Sequence, residues 1–204
     1  MGSATVLLVV LAAGQAAESR PVPRRPGLTW VAADSLARKL QEAEGALSHA
    51  KAGQPARPRS VEVTETELNS YLNLTLGPKV PPELSNVAFQ IVPGRLQGTG
   101  LLDLDKLKAK APPQGPWSPL NLLTGLVAVD LKTQLSSQDG MGTLMVDEVR
   151  LGGVSIPISL LQQMVQGATR TRDNPGGFDL GAPFRLPYAI KRVRLGSGKA
   201  WLDF

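Results

Sequence analysis

From Leu84 onward the chain alternates apolar and polar residues with a period of two. Val87, Phe89 and Ile91 alternate with Ala88 and Gln90, and Val127, Val129 and Leu131 alternate with Ala128, Asp130 and Lys132. Successive strand side chains point to opposite faces, so each run offers one apolar face to a core. Turn residues separate the runs. Val92-Pro93-Gly94-Arg95 has Pro and Gly where a type II turn takes them. The return strand carries Leu96, Gly98, Gly100, Leu102 and Leu104 on one face, and its glycines predict a bend or a close backbone approach. Asp139-Gly140 predicts a hairpin turn, after which Leu144 and Val146 are followed by Val149 and Leu151. The phase slips by one at Asp147-Glu148, the mark of a β-bulge. A short strand over 60–63 and a last hairpin over 190–195 and 199–204, around Gly196-Ser197-Gly198, complete the set.

Helical spacing occurs in three places. Leu36, Leu40, Ala43 and Leu47 form one stripe and predict a helix over 31–52, stopped by Gly53 and Pro55. Thr64 with Glu67 three residues on is a capping-box pattern and opens a helix carrying Leu68, Tyr71, Leu72 and Leu76, which ends near Gly77-Pro78. Pro157 opens the third, with Ile158, Leu161, Met164, Val165 and Ala168 on its apolar stripe. Segments 20–27 (RPVPRRPG), 53–59 (GQPARPR), 112–119 (PPQGPWSP) and 173–183 are linkers or loops. About seven strands in local hairpins, with helices interspersed, predict an α+β fold. Its form is a long curved antiparallel sheet wrapped around one or two helices, with an extra N-terminal helix.

The apolar run from Ala4 to Ala13, followed by small residues, reads as a secretory signal peptide cleaved near Ala16 or Ala17. It is too short to span a bilayer. The expected organisation is a signal peptide at 1–17, a Pro/Arg-rich tether with an amphipathic helix at 18–59, and an α+β binding domain at 60–204. Export to the periplasm or the cell exterior follows.

Composition then narrows the chemistry. Aromatic residues make up 4% of the 204, so the core must be aliphatic. There is no Cys, which removes disulfide staples, thiol nucleophiles, Cys-bound metals and an acylated lipoprotein Cys. The one histidine, His49, has neither a triad pattern nor a second ligand of its kind. Asp103 and Asp105 would share a face of a strand, a spacing open to calcium or acid-pair chemistry, but no further ligand stands at a set distance. No Gly-rich phosphate loop with a Lys is present. The expectation is a non-catalytic protein without metal or cofactor.

The net charge of +5 is concentrated between Arg20 and Arg59, where eight bases face three acids, and Lys191, Arg192 and Arg194 form a second basic group. Nucleic acid is not the expected partner, because exposed aromatics do not interleave with these bases. Trp117, flanked by prolines, suits a membrane–water interface and raises a peripheral membrane contact as an expectation. Asn73-Leu74-Thr75 matches a glycosylation sequon.

The stretch Thr64-Glu65-Thr66-Glu67-Leu68-Asn69-Ser70-Tyr71-Leu72, directly after a strand, resembles the E-x-E-L-N-x-Y-L start of bacterial envelope proteins in the tubular lipid-binding superfamily, relatives of the bactericidal/permeability-increasing fold. The resemblance covers 60–204. It implies an apolar groove for acyl chains. The groove's walls would be Leu68, Tyr71 and Leu72 on the helix, Phe89, Ile91, Val127, Val129 and Leu131 on strands, and Leu161, Met164 and Val165 on the second helix. Two functional expectations follow: a lipid or other apolar ligand held in that groove, or a solid-cored envelope scaffold that binds a protein or cell-wall glycan through its basic face. The protein partner is not legible.

Overall fold

The computed structural model describes residues 27–50, 59–110, 124–170, 172 and 174–204. The expected signal peptide, residues 18–26 of the tether, residues 51–58, and the 112–119 loop with Trp117 lie outside the described residues.

Helix α1 (Trp30–Ala50) leads into β1 (Ser60–Thr64) and α2 (Glu65–Ser70), which runs on as a wider π-turn over Tyr71–Thr75. Then come β2 (Leu84–Val92), β3 (Arg95–Asp103), α3 (Leu104–Lys110), β4 (Leu126–Gln138), β5 (Met141–Leu151), β6 (Val154–Ser155) and α4 (Ile158–Thr169). The chain closes with β7 (Phe184–Arg185), a 3-10 turn at Pro187–Ala189, β8 (Arg192–Leu195) and β9 (Lys199–Asp203). The long sheet runs β2-β3-β4-β5-β6, with β7 also on β5, and the small one runs β1-β9-β8. Every strand pair is antiparallel. The fold is α+β.

The hairpins form where turn chemistry permits. Gly94 closes β2–β3 at φ +70°, and Asp139 and Gly140 close β4–β5 at φ +51° and +81°, the double left-handed geometry of a type I′ turn. Lys132 pairs with Glu148 and Thr133 with Val146, so Asp147 is the extra residue of a bulge. Gly98 pairs with Phe89 on one side and Leu131 on the other, and the missing side chain leaves room for both.

The strand expected to continue through Leu104 ends at Asp103. Asp103 Oδ1 accepts from Lys106 N (3.1 Å), and its carboxylate pairs with Lys106 Nζ (2.8 Å), so the chain turns into α3. Asp105 Oδ2 accepts from Gly125 N (3.0 Å). The two carboxylates therefore cap and tie the backbone rather than sharing a strand face.

Side chain and backbone join the sheets. Ser137 Oγ on β4 donates to Val193 O (3.0 Å) and accepts from Val193 N (2.7 Å) on β8. Gly198 N donates to Ile91 O (2.8 Å) at the other end. The small sheet thus spans from β4 to β2, with its inner face opposite the long sheet's inner face.

One core lies under α4. It holds Leu102, Leu104, Val127, Val129, Leu131, Leu144, Val149, Leu151 and Ile156, with Leu161 and Met164 of α4 packed against it. Each such aliphatic contributes roughly 1.5–3 kcal/mol on burial. Helix α1 is part of the packed body: Leu36 and Leu40 meet Val63, while Ala43 meets Val61, Leu186, Ile190 and Phe204.

Candidate ligand cavity

The 64–73 segment positions one wall of a cavity. Glu65, Asn69 and Asn73 recur at i, i+4 and i+8, so they share one face of the helix and its π-turn. That face lies along the outer edge of β2. Glu65 Oε2 accepts from Ile91 N (2.8 Å). Asn69 Nδ2 donates to Phe89 O (2.8 Å), and Asn69 Oδ1 accepts from Phe89 N (2.6 Å). Asn73 Nδ2 donates to Val87 O (2.7 Å) and to Asn69 O (2.8 Å). Side chains thereby satisfy a sheet edge that, among the described residues, no strand covers. The Asn73 amide of the sequon match is thus bound to two carbonyls.

Glu67 secures the second wall. Its carboxylate closes the capping box with Thr64 N (2.9 Å), and it accepts from Ser35 Oγ (2.6 Å) and Lys39 Nζ (2.7 Å) of α1. Burial alone would raise the Glu67 carboxyl, but the hydrogen bonds from Lys39, Ser35 and Thr64, with the Lys39 charge, outweigh it and hold the group below the ordinary carboxylate range. Lys39 Nζ also reaches Glu62 O (2.7 Å), so α1 is tied to β1 and α2 together.

Between these helices and the facing sheets is a cavity of about 170 Å³. Leu36 and Leu40 of α1, Val63, Leu68, Tyr71 and Leu76 form one side. Phe89, Ile91, Leu96, Leu135 and Leu144 come from the long sheet, and Val193, Leu195, Ala200 and Leu202 from the small one. The 184–190 segment adds Phe184, Leu186, Pro187, Tyr188 and Ile190 to the walls, and the cavity remains partly open. Among the described residues no charged residue lines it, and the lining residues with a polar side-chain atom are Tyr71 and Tyr188, whose hydroxyls lie 3.5 Å apart. Burial, and next the contact with Tyr188, push the Tyr71 phenol well above its ordinary range, so it stays protonated at any physiological pH.

Of the residues read as groove walls from the sequence, Leu68, Tyr71, Phe89 and Ile91 meet at this cavity. Leu72 does not: it is buried with Leu76, Val87 and Phe89. Val127, Val129 and Leu131 fill the core under α4 beside Leu161 and Met164, and Val165 is buried away from the cavity walls. The reason is the length of β4. Its inner face passes from the α4 core at 127–131 to the cavity at Leu135 and the β8 junction at Ser137. Alternation marks that face without marking where along it the packing opens.

The sequence reading missed the contribution of α1 and of the C-terminal hairpin. Both carried a signal: Leu36 and Leu40 at helical spacing, and Val193/Leu195 with Ala200/Leu202 in strand alternation. Among the described residues no group of three His, Cys, Asp or Glu side chains is arranged to hold a metal ion, and no helix is long and apolar enough to cross a membrane. No protein-family model, curated protein or solved structure matches the chain.

Proposed function

We propose that the protein is an exported, non-catalytic binding protein that holds a hydrocarbon group, such as the end of an acyl chain, in the cavity between α1, α2 and the facing sheets. The observation that carries this reading is the chemistry of the walls: among the described residues twenty line it, none is charged, and two bear a hydroxyl. An apolar cavity of about 150 Å³ stays dry and takes up benzene or xenon. A void of about 170 Å³ suits a ring or a short run of methylenes and is too small for a whole lipid. The remainder of a lipid would stay outside. The apolar run Ala4–Ala13 supports export.

The scaffold reading has less support. Of the basic group Lys191, Arg192 and Arg194, Arg194 is paired with Asp203 (2.9 Å), and nearby Lys199 is paired with Glu62 (2.9 Å).

The test is native mass spectrometry of protein from its expression host, together with uptake of a fluorescent fatty acid. A bound apolar adduct, or saturable uptake, is expected. Neither adduct nor uptake would overturn the reading.

A further inference from the structure

Both cavity tyrosines sit on backbone that departs from regular geometry. Tyr71 begins the π-turn, where Leu76 N reaches back five residues to Tyr71 O (2.9 Å). Such turns cost regular α-helical bonds and recur at functional sites. Tyr188 lies in the left-handed region at φ 55°, ψ 28°, and Ala189 follows at φ 54°. For residues with a Cβ this conformation costs about 1–2 kcal/mol each, and strain of this kind collects at ligand sites. Two separate irregularities thus bring together the hydroxyls of two residues that line an otherwise hydrocarbon cavity.

Their mutual contact does not use them up. At 3.5 Å it is well beyond the ordinary length of an O–H···O bond, about 2.7–2.8 Å. Each hydroxyl keeps hydrogen-bonding capacity, and an oxygen about 2.8 Å from both fits across the gap between them.

We propose that the Tyr71 and Tyr188 hydroxyls receive a single neutral oxygen of the ligand, so that the cavity selects a ketone- or alcohol-type compound with a hydrocarbon tail over the matching carboxylate. This rests on the apolar-ligand reading above and adds the polar end. A carboxylate would shed its hydration among walls whose described residues carry no cation, and two hydroxyl contacts would not offset that loss. A neutral carbonyl or hydroxyl loses far less and gains the same two bonds. Tyr71 remains protonated, so it is a standing donor to a carbonyl oxygen.

The experiment uses the full chain and four probes of similar bulk: 2-hexanone, 1-hexanol, hexanoate and toluene, titrated by calorimetry or NMR. Hexanone and hexanol are expected to bind about tenfold more tightly than hexanoate. Tyr71→Phe and Tyr188→Phe, each checked for folding by its thermal transition, should weaken hexanone about three- to tenfold, the scale of one neutral hydrogen bond, and leave toluene unchanged. Equal affinities for hexanone and hexanoate in the unmodified protein would overturn the assignment of the tyrosine pair while toluene binding upheld the apolar cavity. Binding of none of the four, toluene included, would overturn the apolar-cavity reading and this inference with it.

Discussion

Asn69 behaves toward Phe89 as a neighbouring strand would. Its amide donates to the Phe89 carbonyl at 2.8 Å and accepts from the Phe89 N–H at 2.6 Å, and both residues are buried. One side chain thus replaces a missing strand at the edge of the long sheet and fixes the height of α2 above β2. Asn69→Ala leaves a buried donor and a buried acceptor without partners. At about 1–3 kcal/mol for each such group, the expected loss is roughly 2–6 kcal/mol, read from the urea midpoint. A loss under 0.5 kcal/mol would show that water takes over both groups.

Glu67 joins α1 to α2, so the docking of α1 should depend on pH. Its carboxyl titrates below the ordinary value of 4.5 in the folded protein. A depressed folded value contributes stability that is present above the unfolded value and is lost as pH falls through the folded one. The wild-type thermal midpoint should therefore drop as pH falls below about 4.5, the unfolded reference. Glu67→Gln should be less stable at pH 7 and lose less than wild type on acidification. Parallel pH profiles for the two proteins would contradict the assignment.

Ala189 follows Tyr188 in the left-handed region, at φ 54°. Glycine adopts this conformation without steric cost but loses more chain entropy on folding. Ala189→Gly should therefore be neutral or stabilising by up to about 1.5 kcal/mol, relief of about 1–2 set against an entropy cost of about 0.5–1. A clear fall in the thermal midpoint would mean that the turn is not strained.

Leu135 is the β4 residue at the cavity wall. Leu135→Phe fills part of the void with carbon. The expected result is a gain of about 0.5–2 kcal/mol, the usual return of cavity filling, with binding of toluene or hexanone reduced tenfold or more. Unchanged affinity would place the ligand elsewhere.

Much of the local structure was legible in advance because it depends on neighbours in sequence. The capping box at Thr64 and Glu67, the turns at Gly94 and Asp139-Gly140, the bulge at Asp147 and the helix after Pro157 each follow from residues a few positions apart. Asp103 is the exception. Its strand pattern carried on to Leu104, but a side-chain cap to Lys106 N turned the chain into α3. Caps and strand alternation compete for the same residues, and pattern alone did not rank them.

The cavity was half legible. Leu68, Tyr71, Phe89 and Ile91 were expected at a groove and meet at one, whereas Val127, Val129 and Leu131 close a solid core with α4. The polar stripe Glu65, Asn69 and Asn73 was not read from the sequence; its use depends on the β2 edge that runs beneath it.

From the amino-acid order alone come the periods, the caps, the turns and hence the antiparallel α+β class, because these depend on interactions within a few residues of chain. Only the tertiary arrangement decided that α1 docks, that the C-terminal hairpin faces the long sheet, and that Tyr71 and Tyr188, 117 positions apart, bring their hydroxyls together. Whether facing apolar surfaces meet or leave space depends on the distance between elements remote in sequence. Side-chain periodicity carries no information about that distance.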